Sequence, residues 1–208
     1  MTARLAFPAA AALAGDRRGA VMVEFALLVP LLVMLLLGAL DIGRLVLAHQ
    51  KADNTAATVA DLVARASPFQ NTPSQVCAAM DAAAHTFEPF VLAAGDVVRV
   101  TSVTLIGTSP TTAPTATANW QAELTGGTSA GCTVTDLDTP ATVPASLDAG
   151  LALEDGDQVH LIVGEVVYTH DSWFWSVLDS DPHHPMTLTT VLRPRQSSLA
   201  ELLPDSTI

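Results

Sequence analysis

Ala20 to Leu40 reads AVMVEFALLVPLLVMLLLGAL, and Glu24 is its one ionisable residue. As a helix rising about 1.5 Å per residue, this stretch is roughly 32 Å long, the thickness of a bilayer core. The uninterrupted apolar part, Phe25 to Leu40, covers only about 24 Å. A helix that spans fully must therefore bring Glu24 into or against the hydrocarbon edge. Pro30 interrupts the hydrogen-bond ladder, which a membrane helix tolerates and an isolated soluble helix does not. A cleaved secretory signal is the competing reading. It fits badly, because the apolar run is longer than a signal's core and no A-x-A site follows it.

The pattern after Leu40 stays helical. Leu45, Ala48, Ala52, Ala56, Val59, Val63 and Ala66 step by three or four, the spacing of one helical face. Gln50, Asn54, Thr58, Asp61 and Arg65 mark the opposite face, with Asp61 and Arg65 placed to pair at i,i+4. Only Gly43 interrupts the run before Pro68 ends it. The spacing predicts one nearly continuous helix over 20–66, about 70 Å long. Its second half carries a narrow alanine stripe that a neighbour can approach closely. A helix half in lipid and half under a head is the shape of an assembly subunit more than of an enzyme.

Composition agrees with this division. Half of the 208 residues are apolar and 14% are charged, with a mean hydropathy of +0.39. That excludes a disordered chain. The formal net charge of −12 argues against a nucleic-acid partner, which needs clustered Lys and Arg. Arg4, Arg17 and Arg18 precede the apolar run, while Arg44 and Lys51 follow it, so the positive-inside rule favours an inner N-terminus. Beyond residue 45 there are 18 acids against 5 bases. Such a domain can be exported, and its two cysteines suit an oxidising compartment.

The exported remainder, 68–208, reads as α+β. Gln75–Phe87 is an alanine-rich second helix, and Val97–Ile106 is a β-branched strand. Val159–Tyr168 is apolar on both faces and belongs inside a sheet. Met186–Leu192 is a further strand, closed by Arg193-Pro194-Arg195. The region 107–150 is rich in Thr, Pro and Gly and reads as loop, with short strands at most near Trp120–Leu124 and Cys132–Leu137. The whole predicts a long N-terminal helix packed on an antiparallel sheet, with a second short helix. Cys77 and Cys132 are the only cysteines and both lie beyond the anchor, so they are expected to form a disulfide.

Catalytic and metal motifs are weak. Asp179, Asp181, His183 and His184 are ligand types, but DSDPHHP is also a polar surface turn. Glu154-Asp155-Gly156-Asp157 lacks the spaced ligands of a calcium loop and reads as a β-turn. There is no G-x-S-x-G, H-E-x-x-H or phosphate-cradling glycine loop. The expectation is no enzyme, no metal and no cofactor. The aromatic cluster Trp173-Phe174-Trp175 caps the sheet or sits against headgroups rather than holding a ligand. Glu24 stands apart, because a carboxylate in an apolar span is costly and usually has a partner. A cut after Gly19 would make Ala20 a new amino terminus, and its charged amine would be that partner, on the same chain or a neighbour.

Arg17-Arg18-Gly19-Ala20-Val21-Met22-Val23-Glu24-Phe25, the Leu-rich run and Asp41-Ile42-Gly43-Arg44 together resemble the TadE/TadG-like family of tight-adherence pilus proteins. Val166-Val167-Tyr168 and Arg193-Pro194-Arg195 are similar to that family's later features. The resemblance covers about 30 N-terminal residues; 70–155 resembles nothing that can be named. It implies a minor pseudopilin or pilus-assembly component of a type IVb-related (Flp/Tad) apparatus in a bacterial inner membrane. It implies pilin, pseudopilin and assembly-protein partners, and a prepilin peptidase cutting at Gly19–Ala20. Glu24 and Phe25 would then set assembly and register, although family pseudopilins often carry Tyr where this chain has Phe25. The alternative class is an anchored envelope domain that binds a ligand or protein without entering a fibre.

Overall fold

The computed structural model describes residues 17–65, 72–109, 113–127, 129–140, 153–172, 174 and 183–195. Helix α1 runs unbroken over Arg17–Ala64 with Pro30 inside it. It starts three residues before the expected boundary; Ala66 and Pro68 lie outside the described residues. Helix α2 is Pro73–Ala84, opening on a proline whose missing N–H costs nothing there. A 3₁₀ turn, His85–Phe87, completes the predicted second helix.

Five strands follow: β1 Val97–Ile106, β2 Thr115–Thr125, β3 Cys132–Pro140, β4 Gln158–Asp171 and β5 His183–Leu192. They form one antiparallel sheet in the order β3-β2-β1-β4-β5. The sequence reading of 107–150 as loop with short strands needs correction, since β2 and β3 are full-length strands. Thr-rich, Ala-rich segments carry a weak hydrophobic signal, yet β2 alternates buried and half-buried residues with period two between exposed ends. Strand β2 also carries a bulge: Ser102 faces Trp120 while Val103 faces Ala118, leaving Asn119 as the extra residue.

The core lies between one face of the sheet and the two helices. Ala48, Ala52, Ala56, Val59 and Val63 of α1 are almost fully buried, as the stripe predicted, and Ala60 beside them is buried too. They meet Val98, Val100, Trp120, Ala122, Leu124, Ile162 and Val166 of the sheet, with Val76, Met80 and Phe87 completing the layer. Small residues set the spacing. A Cβ on Gly164 would fall 2.5 Å from the Ala56 carbonyl oxygen, so only glycine lets α1 lie this close to β4. The opposite sheet face has a smaller cluster of Val103, Leu105, Ala116, Leu153, Val159 and Leu161.

Helix and strand are also matched in direction. Asp41 meets Ser172 just beyond the end of β4, and Ala56 and Ala60 meet Gly164 inside it. Asp41 to Ala56–Ala60 is about 25 Å of helix, and Ser172 to Gly164 is about 27 Å of strand. Helix α1 therefore runs alongside β4, antiparallel to it.

Cys77 on α2 and Cys132 at the start of β3 are disulfide-bonded, with Cα atoms 5.8 Å apart. The bridge ties the second helix to an edge strand, not to a loose middle segment. A five-strand α+β head thus sits mainly on the second half of α1.

Candidate assembly helix and its junction with the head

Most of the first half of α1 stands clear of the head, with Gly38 near its end lying against Phe174. Its most apolar stretch has a mean hydropathy of 2.6, with no residue buried. Glu24 is exposed, Phe25 is 64% exposed, and the space around Gly19 is open. The Gly19–Ala20 bond lies within the first turns of the helix, where ends fray most readily. Glu24 and Phe25 follow on the same exposed helix. The helix is long and apolar enough to cross a membrane once.

Where the apolar run ends, the head closes on the helix through a polar cluster that spacing could not reveal. Asp41 is 2% exposed, His170 2% and Ser172 3%. The Ser172 hydroxyl donates a short hydrogen bond to Oδ2 of Asp41. His170 Nε2 lies 3.9 Å from Asp41 Oδ1. Neither ring nitrogen of His170, nor Asp41 Oδ1, has a hydrogen-bond partner among the described residues. Burial pushes the His170 pKa down, against the opposing pull of Asp41, while Arg44 and His184 push the same way as burial. Burial thus favours the neutral form of the imidazole.

These three residue types also make hydrolytic triads, but here the arrangement differs. The serine hydroxyl binds the carboxylate rather than the imidazole, and all three groups are sealed from solvent. A triad needs its serine paired with the histidine and open to substrate. This cluster fastens the head to the helix.

Around it, Tyr168 packs edge-on against Phe87, with centroids 4.8 Å apart, and against Phe90 at 6.3 Å. Burial raises the Tyr168 pKa, and Asp96 and Asp171 add to the rise. Asp96 caps the entry to the sheet by accepting from Ala93 N at 2.7 Å and Thr169 N at 2.8 Å. Further up α1, Thr55 bonds Thr86 at 2.8 Å and Lys51 reaches the Thr86 carbonyl at 3.4 Å. On the outer sheet face Arg99 bridges Glu123 at 2.8 Å and Glu165 at 2.7 Å. Burial works against the Arg99 charge, yet the two carboxylates hold its pKa above the usual value.

His183 and His184 lie on β5, and His183 pairs with exposed Asp171 at 2.6 Å. Asp179 and Asp181 lie outside the described residues, as do Trp173 and Trp175. Among the described residues no group of three or more His, Cys, Asp or Glu could hold a metal. Asp155 and Gly156 form a turn, with Gly156 at φ +87° and its N–H donating to the Gly107 carbonyl at 3.0 Å.

This geometry defines a class: an α+β head carried on the second half of a long helix whose apolar first half is free to meet lipid or other subunits. Residues 19–61 match the family model described as TadE-like protein, so this segment of the chain is similar to the TadE-like family. Members of this pilin-type family are generally structural rather than enzymatic. No curated protein and no solved structure gives a significant match.

Proposed function

We propose that this chain is a minor pseudopilin or pilus-assembly component of a type IVb-related (Flp/Tad) apparatus, acting through its N-terminal helix. One observation carries this reading. The family match at 19–61 covers the exposed apolar half of α1 and the stretch that seats the head. In this reading 1–19 is a basic leader, 20–41 spans a bacterial inner membrane, 42–67 continues the helix, and 68–208 is exported. The N-terminus is cytoplasmic. The disulfide supports an oxidising location for the head.

A prepilin peptidase cuts between Gly19 and Ala20, and Glu24 then meets the new amine of Ala20 on its own or a neighbouring chain. A paired carboxylate in low dielectric fixes register, whereas an unpaired one tends to protonate. The partners are pilin and pseudopilin subunits and assembly proteins; no cofactor enters.

N-terminal sequencing of the membrane protein tests the cut, with Ala20 as the expected first residue. Glu24→Gln tests the pairing. Insertion, export and folding of the head should persist, while crosslinking into the pilus machinery should fall at least tenfold. Full piliation by a stably inserted Glu24→Gln variant would favour the anchored envelope domain instead.

A further inference from the structure

The head does not stop where the apolar run stops. Phe174, in the turn after β4, lies against Gly38, three residues inside Asp41. A Cβ on Gly38 would sit 3.2 Å from Cε1 of that ring. On the helix flank away from the head the apolar surface continues past Asp41. Ile42 is 53% exposed, Val46 51% and Leu47 49%. Gly38 to Leu47 is about 14 Å of helix. Over that length α1 carries the head on one side and bare apolar surface on the other.

We propose that the head is seated in the outer headgroup layer of the bilayer that α1 crosses, with Phe174 on one flank and Ile42, Val46 and Leu47 on the other as its lipid contacts. This rests on the reading of α1 as a membrane span. Three features favour lipid over a neighbouring subunit. The exposed residues continue the apolar surface of Leu31–Leu36 without a break in the helix. Arg44, exposed where this flank borders the head, places a cation where lipid phosphates lie and can extend along the helix to reach them. Phe174 is flanked in sequence by Trp173 and Trp175, the residue type of the aromatic belt at a bilayer edge. The seat also accounts for the burial of Asp41. At this depth a bare carboxylate would face the edge of the hydrocarbon, and the Ser172 hydroxyl and the head cover it instead.

The test uses the full chain in phosphatidylcholine vesicles. Phe174→Trp, Val46→Trp and a reference, Leu32→Trp, are each made with Trp173→Phe and Trp175→Phe; Trp120, fully buried, remains as a constant background. Lipids brominated at shallow or deep acyl positions then quench according to depth. Deep bromines should quench Leu32→Trp, and shallow ones should quench Phe174→Trp and Val46→Trp at least twofold more than deep ones do. Quenching at Leu32→Trp alone overturns the seat while leaving the span intact. No quenching at Leu32→Trp overturns the span and the seat with it. Loss of shallow quenching as copies crosslink at high protein-to-lipid ratio overturns the lipid assignment in favour of a subunit contact.

Discussion

Ser172 donates its hydroxyl hydrogen to the carboxylate of Asp41, a contact between residues 131 positions apart that joins the sheet to the helix where the apolar run ends. Both groups are buried, and a hydrogen bond to a charged acceptor contributes about 1.5–3 kcal/mol. Asp41→Ala should lower the stability of the head by that amount. Asp41→Asn, which keeps a carbonyl acceptor, should cost less. Denaturant unfolding in detergent micelles, followed through the buried Trp120 in a Trp173→Phe, Trp175→Phe background, measures the difference. Equal losses in the two variants would show that a neutral amide does not replace the carboxylate as the acceptor from Ser172.

His170 predicts a pH dependence. Its folded pKa lies below the ordinary histidine value, chiefly through burial, with Asp41 opposing and Arg44, His184 and Asp171 as the other charges facing it. Above about pH 6.5 the ring is neutral in both folded and unfolded chains and adds no pH term. As pH falls below that, the unfolded chain takes up a proton that the folded chain resists, so stability falls. Unfolding midpoints between pH 7.5 and 5 should therefore drop more steeply for the native chain than for His170→Asn. Parallel slopes would remove His170 from the acid response.

Gly164→Val places a Cβ against the Ala56 carbonyl and the Ala60 methyl, at 2.5 and 3.0 Å. Backbone cannot yield as a long side chain can, so α1 must lift from β4. Overpacking of this kind costs about 1–3 kcal/mol. A lowered unfolding midpoint, with faster proteolysis in the second half of α1, is the expected result. An unchanged midpoint would mean that the helix has room to spare.

Reduction of the Cys77–Cys132 bridge, or Cys77→Ser with Cys132→Ser, should destabilise the head by about 4 kcal/mol from chain entropy alone. The two cysteines are 55 positions apart, so the released loop is long. Unfolding with and without reductant gives the number. A loss below about 1 kcal/mol would mean that packing between α2 and β3 already restrains the ends.

Periodicity made the helix and its buried alanine stripe legible, because a step of three to four residues is a local property of the chain. Strands β1 and β4 announced themselves through β-branched runs, and the two cysteines through their scarcity. Strands β2 and β3 did not, since alternating Thr and Ala differ little in hydrophobicity and only pairing to β1 fixes which side is inner. The junction was hidden for another reason. Asp41 entered only as part of the Asp41-Ile42-Gly43-Arg44 stretch, and nothing local in Tyr168-Thr169-His170-Asp171-Ser172 marks a partner for it. The bulge at Asn119 likewise belongs to pairing, where it turns the amide toward Ser102 and Thr104, at 3.2 and 2.8 Å.

The antiparallel course of α1 along β4 has a mechanical consequence. Tension drawn through the N-terminal half of the helix acts along the strand direction, so it shears the helix–sheet interface instead of peeling it. From Asp41 to the close approach at Gly164, and on to the Ala64 carbonyl that accepts from Arg195 N at 3.3 Å, the contacts lie side by side along the line of force. They are loaded together, and yielding requires most of them to slip at once. A head attached in this way can be tugged from below without being unzipped.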